Sequence, residues 1–239
     1  MTKKEEGLAG TRSAVPIMLG YVPVGIAYGV MARQAGLSTW QTVLMSLTVY
    51  GGASEMMAAG MVAQGAAVLT IVLTTFILNL RHIIMSTCVF NQMQGGRLPV
   101  RMLAAFGVTD ETFAVYTTTA NAPRTPRYFF SMALCSYLSW ALGSWLGAIA
   151  TGLLPPLITA ALGISLYAMF IGLLMPGLHG NGRLAALVVL TALCNTMLCN
   201  VVRLDSGWAM ILSTLGCAAL GSFFVTPNAA GEENSHAES

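Results

Sequence analysis

The sequence predicts an all-α polytopic membrane protein with about seven to eight transmembrane helices, some broken by glycine or proline. Between Arg127 and Arg183 the chain runs for 55 residues without Asp, Glu, Lys or Arg. One helical crossing takes roughly 20 apolar residues, so this gap alone accommodates two crossings. The whole chain is 8% charged and 56% hydrophobic, whereas soluble domains are about one quarter charged. Its net charge of +2 gives no clustered basic face of the kind that nucleic-acid binding needs.

Eight apolar segments are candidate spans. They are 13–32, 40–62, 66–90, 102–120, 128–152, 157–176, 184–203 and 207–226. We expect them to form a single membrane domain, residues 13–226. A cytoplasmic N-terminal tail, 1–12, precedes this domain, and a polar, acidic and disordered tail, 227–239, follows it. With eight crossings, six Lys and Arg residues lie in cytoplasmic loops and four in outer loops, a small positive-inside bias.

Two of these segments contain residues that interrupt helices. The first includes Pro16, Gly20 and Pro23, and proline removes a backbone donor and clashes with the preceding turn. The second carries Gly51 and Gly52 near its middle. Backbone groups freed within a membrane must face protein or a wet cavity. We therefore predict broken helices that pack inside the bundle at both places.

The fourth segment, 102–120, is the weakest candidate, because Asp110 and Glu111 lie inside it. It is either a full crossing or a re-entrant segment. A segment that does not cross would move every later loop to the other side of the membrane and reverse the positive-inside bias. The distribution of charge therefore favours a crossing.

An internal repeat is one interpretation of two similar Gly-rich segments, which begin at Gly20 and at Gly163. Five spans separate them, so the two blocks would be inverted, as in many transporters. Chance similarity between two Gly-rich apolar helices explains the pattern equally well.

Three short segments place polar and ionisable groups inside apolar stretches. They are Gly51-Gly52-Ala53-Ser54-Glu55, Asn79-Leu80-Arg81-His82 and Gly107-Val108-Thr109-Asp110-Glu111. A charge at the bilayer centre costs roughly 2.5 to 3.5 kcal/mol, so we expect Arg81 to pair with Glu55, Asp110 or Glu111. The alternatives are a purely structural ion pair between helices, or side chains that reach the membrane interface. Small residues, a helix break and a charge together favour an ion or substrate cavity.

The motifs in these stretches resemble the AzlC family, the large subunits of two-component branched-chain amino acid permeases. They read Gly20-Tyr-Val-Pro-Val-Gly, Tyr50-Gly-Gly-Ala-Ser-Glu, Asn79-Leu-Arg-His and Phe106-Gly-Val-Thr-Asp-Glu-Thr-Phe. The chain departs from the family pattern at three positions. Gly51 replaces an alanine, Glu55 replaces a glutamine and Asn79 replaces an aspartate. Compared with the family pattern, this chain therefore lacks the negative charge at position 79 and carries one at position 55 instead.

The resemblance implies a multi-pass protein of the bacterial inner membrane that exports valine, leucine, isoleucine or related hydrophobic amino acids. It also implies a small AzlD-type partner with about four spans. Two alternatives remain: a non-transporting assembly or stabilising subunit, and an exporter of another small solute. We expect no cofactor, no metal and no enzymatic activity, because the sequence lacks the hydrolase, zinc-protease and nucleotide-binding motifs.

The candidate site comprises the polar segments and the backbone near the helix breaks. Arg81 is a candidate for holding a substrate carboxylate or locking a carboxylate pair. Glu55, Asp110 and Glu111 are candidates for receiving the ammonium group or a coupling proton, and His82 for relaying protons. The remaining members supply backbone or hydroxyl and amide groups: Gly51, Gly52, Ser54, Asn79, Thr109 and Pro23.

Overall fold

The computed structural model describes residues 2–119, 122–153, 181–204 and 206–224, together with six single residues between 155 and 178. Every regular element in these residues is helical, which confirms the predicted all-α membrane class. The predicted tail 227–239 lies outside the described residues, and so does most of the predicted span 157–176, with the repeat block that starts at Gly163. The chain forms two compact units, Met1–Phe170 and Ile171–Ser239, which are described separately.

The helices are numbered in chain order. They are α1 (Lys3–Gln34), α2 (Thr39–Val49), α3 (Gly52–Ala63), α4 (Val68–Asn79), α5 (Arg81–Gln92), α6 (Leu98–Phe106), α7 (Asp110–Thr118), α8 (Pro126–Ala150), α9 (Gly182–Asn200) and α10 (Ser206–Phe224). Four of the helical stretches are long and apolar enough to cross a membrane: Lys3–Gln34, Val68–Gln92, Pro126–Ala150 and Gly182–Asn200.

The centre of the first unit is a parallel pair of long helices, α1 and α8. Gly10 of α1 lies against Tyr128 near the start of α8, and Gly29 lies against Ala148 near its end. The two backbones approach closely because glycines recur at four-residue spacing on both helices. A Cβ added to Gly143 would lie 2.6 Å from the Val22 carbonyl oxygen. Such small-residue stripes let helices pack closely without a hydrophobic driving force.

The parallel pair defines two ends of the first unit. At the N-terminal end, Thr125 Oγ1 donates a hydrogen bond to Glu6 Oε2 at 3.1 Å. The Gln94 N–H donates to the Arg124 carbonyl at 2.6 Å. The loop between α5 and α6 and the loop between α7 and α8 therefore both lie at the N-terminal end. The C-terminus of α1 lies at the opposite end.

The first hairpin, residues 39–63, consists of α2 and α3 and enters from the opposite end. Near its start the Thr42 carbonyl accepts a bond from Tyr28 Oη at 3.0 Å, and five residues later the Leu47 carbonyl accepts one from Tyr137 Oη at 2.7 Å. Helix α2 therefore runs along α8 from the opposite end toward the middle of the unit. The chain reverses at Tyr50, whose left-handed conformation (φ 46°, ψ 47°) is uncommon for a bulky residue.

The first hairpin returns to the end from which it entered. Gly51, at its tip, lies beside the Asn79 side chain at the end of α4. Only residues 64–67 connect α3 to α4, and the two helices pack together. They are therefore antiparallel, and α3 ends where α4 begins. Since α4 and α5 join at Leu80 into one helix, Val68–Gln92, this helix crosses from the opposite end to the N-terminal end.

The second hairpin, residues 98–118, enters from the N-terminal end and returns to it. Its halves, α6 and α7, have nine residues each, which is about 14 Å at 1.5 Å per residue. They are interrupted at residues 107–109. Thr109 caps α7: its side chain accepts from the Thr112 N–H, while the Thr109 N–H donates to Thr112 Oγ1. The hairpin tip thus lies near the middle of the unit, directly facing the tip of the first hairpin.

Three features differ from the expectations. Predicted span 40–62 is a hairpin of two half-helices. Segment 102–120 is also such a hairpin, which matches its re-entrant alternative and not the crossing that the charge distribution favoured. The first helix is not broken: α1 is continuous through Pro16 and Pro23. An inverted pattern exists within residues 3–118, where a long helix followed by a re-entrant hairpin occurs twice in opposite directions.

The second unit contains a packed pair of apolar helices, α9 and α10. Ser213 Oγ donates a hydrogen bond to Asn195 Oδ1 across the pair at 3.4 Å. The backbone at Gly221 lies directly against the Leu187 side chain. Polar contacts and a close apolar approach across a helix pair are typical of membrane helices.

Candidate functional site

The two hairpin tips and the junction between α4 and α5 meet at one cavity in the middle of the first unit. Residues from all three predicted polar segments line it, together with aromatic side chains of α1, α2 and α8. The lining residues are Tyr21, Tyr50, Gly51, Gly52, Ala53, Arg81, His82, Thr109, Asp110, Glu111 and Trp140. The cavity has a volume of about 20 Å³, which is room for a water-sized group. A whole amino acid requires the tips to move apart.

Arg81 pairs with Asp110, as the sequence analysis predicted for one of the three acids. Arg81 Nη2 lies 2.9 Å from Asp110 Oδ2, so the contact joins α5 to the first turn of α7. Asp110 is the first residue of that helix, where the helix dipole also favours a negative charge. His82 lines the same cavity beside this pair.

Glu55 is not the partner of Arg81, which corrects one of the three predicted pairings. Its side chain is fully buried and accepts two hydrogen bonds. Oε1 accepts from the Gly51 N–H at 2.9 Å, and Oε2 accepts from Trp140 Nε1 at 3.2 Å. Glu55 therefore ties the tip of the first hairpin to α8.

Glu111 makes the corresponding connection for the second hairpin. Tyr21 Oη lies 2.6 Å from Glu111 Oε2 and donates to it. It also lies 2.7 Å from Thr109 Oγ1. The tip of the second hairpin is therefore tied to α1. Tyr21 and Trp140 contact each other edge to face, with ring centroids 5.4 Å apart, so the two attachments are adjacent.

The other predicted site residues occupy different positions around the tips. Ser54 does not line the cavity; its hydroxyl donates to the Gly51 carbonyl at 2.8 Å and shapes the first tip. Asn79 lies just behind Gly51. Pro23 is exposed on the outside of α1 and is not part of the site. Gly52 permits the first tip to approach α8, since a Cβ there would lie 2.8 Å from Trp140 Cη2.

Sequence reasoning missed the aromatic walls formed by Tyr21, Tyr50 and Trp140. Tyr50 directly precedes the glycine pair, so its position next to the break was a usable signal. Trp140 lies in an apolar stretch without nearby charges, and nothing local distinguishes it from a lipid-facing tryptophan. In the residues that the structure describes, no group of three or more His, Cys, Asp or Glu side chains is arranged to hold a metal.

Comparison with known proteins places these features in a family. The family model of the AzlC protein matches residues 16–154. A membrane protein of Archaeoglobus fulgidus is 35% identical over 173 residues, 72% of this chain and 75% of that protein. Inner membrane protein YgaZ of Escherichia coli is 30% identical over 223 residues, 89% of this chain and 88% of that protein. Branched-chain amino acid transport protein AzlC of Bacillus subtilis is 28% identical over 157 residues, 62% and 61% of the two chains. No solved structure matches this chain.

Proposed function

Because this chain belongs to the AzlC family of membrane proteins, we propose that it is a secondary transporter subunit that exports branched-chain or other hydrophobic amino acids. It acts across the bacterial inner membrane with a small AzlD-type membrane subunit. The observation that carries the proposal is the cavity between two half-helix hairpins that enter from opposite ends. Discontinuous helices that meet near the midplane are a recurrent plan for substrate sites in secondary transporters.

The two hairpins provide one barrier on each side of the cavity. The first hairpin separates it from the opposite end and is held by the Trp140–Glu55 hydrogen bond. The second separates it from the N-terminal end and is held by Tyr21 and by the Arg81–Asp110 ion pair. Opening one hairpin while the other stays in place would expose the cavity to one side at a time. This is the requirement for alternating access.

The charge distribution around the first unit supports an N-terminus in the cytoplasm. Seven Lys and Arg residues lie at its N-terminal end and one, Arg33, at the opposite end. The seven are Lys3, Lys4, Arg12, Arg97, Arg101, Arg124 and Arg127. For the same residues, eight crossings would give five against three, so the positive-inside bias is larger with the re-entrant hairpins. The second hairpin then faces the cytoplasm, from which an exporter loads its substrate.

Substrate-dependent flux in proteoliposomes tests the transport function. We expect the chain, reconstituted with a co-purifying small subunit, to release radiolabelled leucine or valine faster than empty liposomes. Arg81→Ala should abolish this flux, while Arg97→Ala, which removes a charge at the N-terminal end, should retain it. A complex that transports none of the hydrophobic amino acids, but whose chain is needed for the small subunit to accumulate, would instead indicate an assembly role.

The partner and the coupling ion are tested separately. Co-purification in mild detergent should recover a small subunit. Full leucine flux by the chain alone would contradict the two-component proposal.

For coupling, flux should be compared as a function of pH between Glu55→Gln and the unaltered chain. Glutamine keeps an acceptor for the Gly51 N–H and loses the one that faces Trp140 Nε1. It is the residue of the family pattern at this position, so the fold should persist. Identical pH profiles would exclude Glu55 as the coupling carboxylate and leave Asp110 as the next candidate.

A further inference from the structure

Three acidic groups lie at or near the cavity, against one permanent cation, Arg81; His82 also lines the cavity. Glu55, Asp110 and Glu111 contribute three carboxylates, and the ion pair with Arg81 accounts for Asp110 alone. Among the described residues, Glu55 and Glu111 make no ion pair. An uncompensated charge inside a membrane domain is costly, so a second cation should accompany the site when it is occupied.

Glu111, rather than Glu55, is the carboxylate available to a ligand. Glu55 is fully buried, and hydrogen bonds from Gly51 and Trp140 engage both of its oxygen atoms. Glu55 does not line the cavity, whereas Glu111 does. Among the described residues, Tyr21 Oη donates to Glu111 Oε2. In the part of the chain that the structure describes, the carboxyl group that lines the cavity without a cationic partner is therefore that of Glu111.

Two buried oxygen atoms at or near the cavity lack a hydrogen-bond partner among the described residues. One is the hydroxyl of Tyr50, a cavity-lining residue that is 3% exposed. The other is Asn79 Oδ1, behind Gly51. A buried acceptor without a donor costs about 1–3 kcal/mol. Asn79 Oδ1 only accepts a hydrogen bond, and the Tyr50 hydroxyl accepts or donates one, so a donor would satisfy either oxygen atom.

The walls of the cavity also suit a cation. The rings of Tyr21, Tyr50 and Trp140 line it, and Tyr21 contacts the other two edge to face at centroid distances of 6.4 and 5.4 Å. Aromatic rings within about 6 Å attract ammonium groups through their quadrupoles. The cavity offers no comparable position to the carboxylate of a ligand. Arg81 is paired with Asp110, and the carboxyl groups of Asp110 and Glu111 would repel a further negative charge.

We propose that the cavity is an amine subsite, in which a primary ammonium group binds beside Glu111 and Tyr50 within the aromatic walls. The volume of about 20 Å³ fits a group the size of water or ammonium, while the rest of the ligand occupies space that an opened hairpin provides. The identity of the physiological ligand, an amino acid, rests on the proposed transport function. The subsite makes the amine, and not the carboxylate, the group that the ligand must carry.

Three ligands that differ only in their charged groups test this assignment. They are leucine, 3-methylbutylamine, which lacks the carboxylate, and 4-methyl-2-oxopentanoate, which lacks the amine. Their binding is measured calorimetrically on the chain in lipid nanodiscs, with any subunit that co-purifies. Leucine and the amine should bind, and the oxoacid should bind at least about tenfold more weakly, because a hydrogen-bonded charge is worth roughly that factor or more.

Variants locate the subsite. Glu111→Gln should weaken binding of 3-methylbutylamine at least about tenfold, and Tyr50→Phe should weaken it severalfold. Glu6→Gln, at the N-terminal end of the unit, should leave it unchanged. Tyr50→Phe removes a single oxygen atom and keeps the ring, so it keeps the test valid if Glu111→Gln does not fold.

The outcomes separate this inference from the proposed function. Equal binding of the oxoacid and the amine overturns the subsite, as does amine binding that neither Glu111→Gln nor Tyr50→Phe weakens. Leucine flux without measurable binding of the amine also overturns it, and indicates that protons or inorganic cations neutralise Glu111. Amine binding that depends on Glu111 in a protein that moves no leucine supports the subsite and overturns the proposed transport of hydrophobic amino acids.

Discussion

Trp140 is the residue at which both barriers of the cavity meet. Its indole N–H donates to Glu55, and its ring lies against Gly52 at the first tip. The same ring contacts Tyr21, which holds the second tip, and stacks on Tyr28 at a centroid distance of 6.1 Å. Its side chain is almost completely buried. A change at this position should therefore affect both hairpins.

We expect Trp140→Phe to destabilise the protein by about 1.5–3 kcal/mol, because it removes a hydrogen-bond donor from a buried carboxylate. The control is Trp145→Phe on the same helix, where the side chain is 46% exposed and the change should be small. The free energy of unfolding in detergent, measured with a chemical denaturant, distinguishes the two. Equal stabilities would show that the Glu55 contact contributes little.

The Arg81–Asp110 ion pair should show thermodynamic coupling. Each single substitution, Arg81→Ala or Asp110→Ala, leaves one charge in the middle of the bundle, whereas the double variant removes both. We expect the double variant to be less destabilised than the sum of the singles by about 0.5–3 kcal/mol. A double-mutant cycle from unfolding in detergent measures this energy. Simple additivity would contradict a direct interaction.

At the level of single helices, the glycine stripes of α1 and α8 determine how closely the two backbones approach. Gly25 and Gly29 on α1 face Gly143 and Gly147 on α8. The spacing of these glycines was visible in the sequence, but their partners were not, because two Gly-rich helices can pack in several pairings.

Gly29→Ala should destabilise the protein by about 1–3 kcal/mol through overpacking, because its Cβ would lie 2.6 Å from the Ala148 nitrogen. Gly20→Ala is the matched control on the same helix. No atom lies within 4 Å of a Cβ at Gly20, so alanine should be neutral or stabilising through its higher helix propensity. Thermal unfolding midpoints of the two variants in the same detergent provide the comparison.

At the scale of the whole molecule, the topology of the first unit is directly testable. Single cysteines at Gln94 and Ala122, in a background without the five native cysteines, should react with a membrane-impermeant thiol reagent from the side of the N-terminus. Cysteines at Gly36 and Gln64 should react from the other side. Eight full crossings would instead place residue 64 on the N-terminal side, because the first hairpin would then cross. Labelling in intact cells and in inverted vesicles decides between them.

The sequence predicted the membrane class, the interruption beside Gly51 and the ion pair at Arg81, because each follows from local chemistry. Charges in apolar stretches must find partners, and a glycine pair with a polar neighbour weakens a helix. The direction of each segment after its interruption depends on tertiary contacts such as Gln94 with Arg124, which local patterns do not encode. The positive-inside rule misled at 102–120 because segment 40–62 was also counted as a crossing, and two such errors alter the charge count together.

The re-entrant hairpins also have a consequence for the membrane voltage. Each half-helix reaches only about half the thickness of the hydrocarbon core, since nine to twelve residues span roughly 14 to 18 Å. If water follows either hairpin inward when it opens, the electric potential falls mainly across the thin layer of Tyr21, Tyr50 and Trp140. Moving one elementary charge through that layer would then involve nearly the full transmembrane energy, about 2.3 kcal/mol per 100 mV. A net charge on the translocated species would make the rate steeply dependent on voltage, whereas a zwitterion moving alone would leave it almost insensitive.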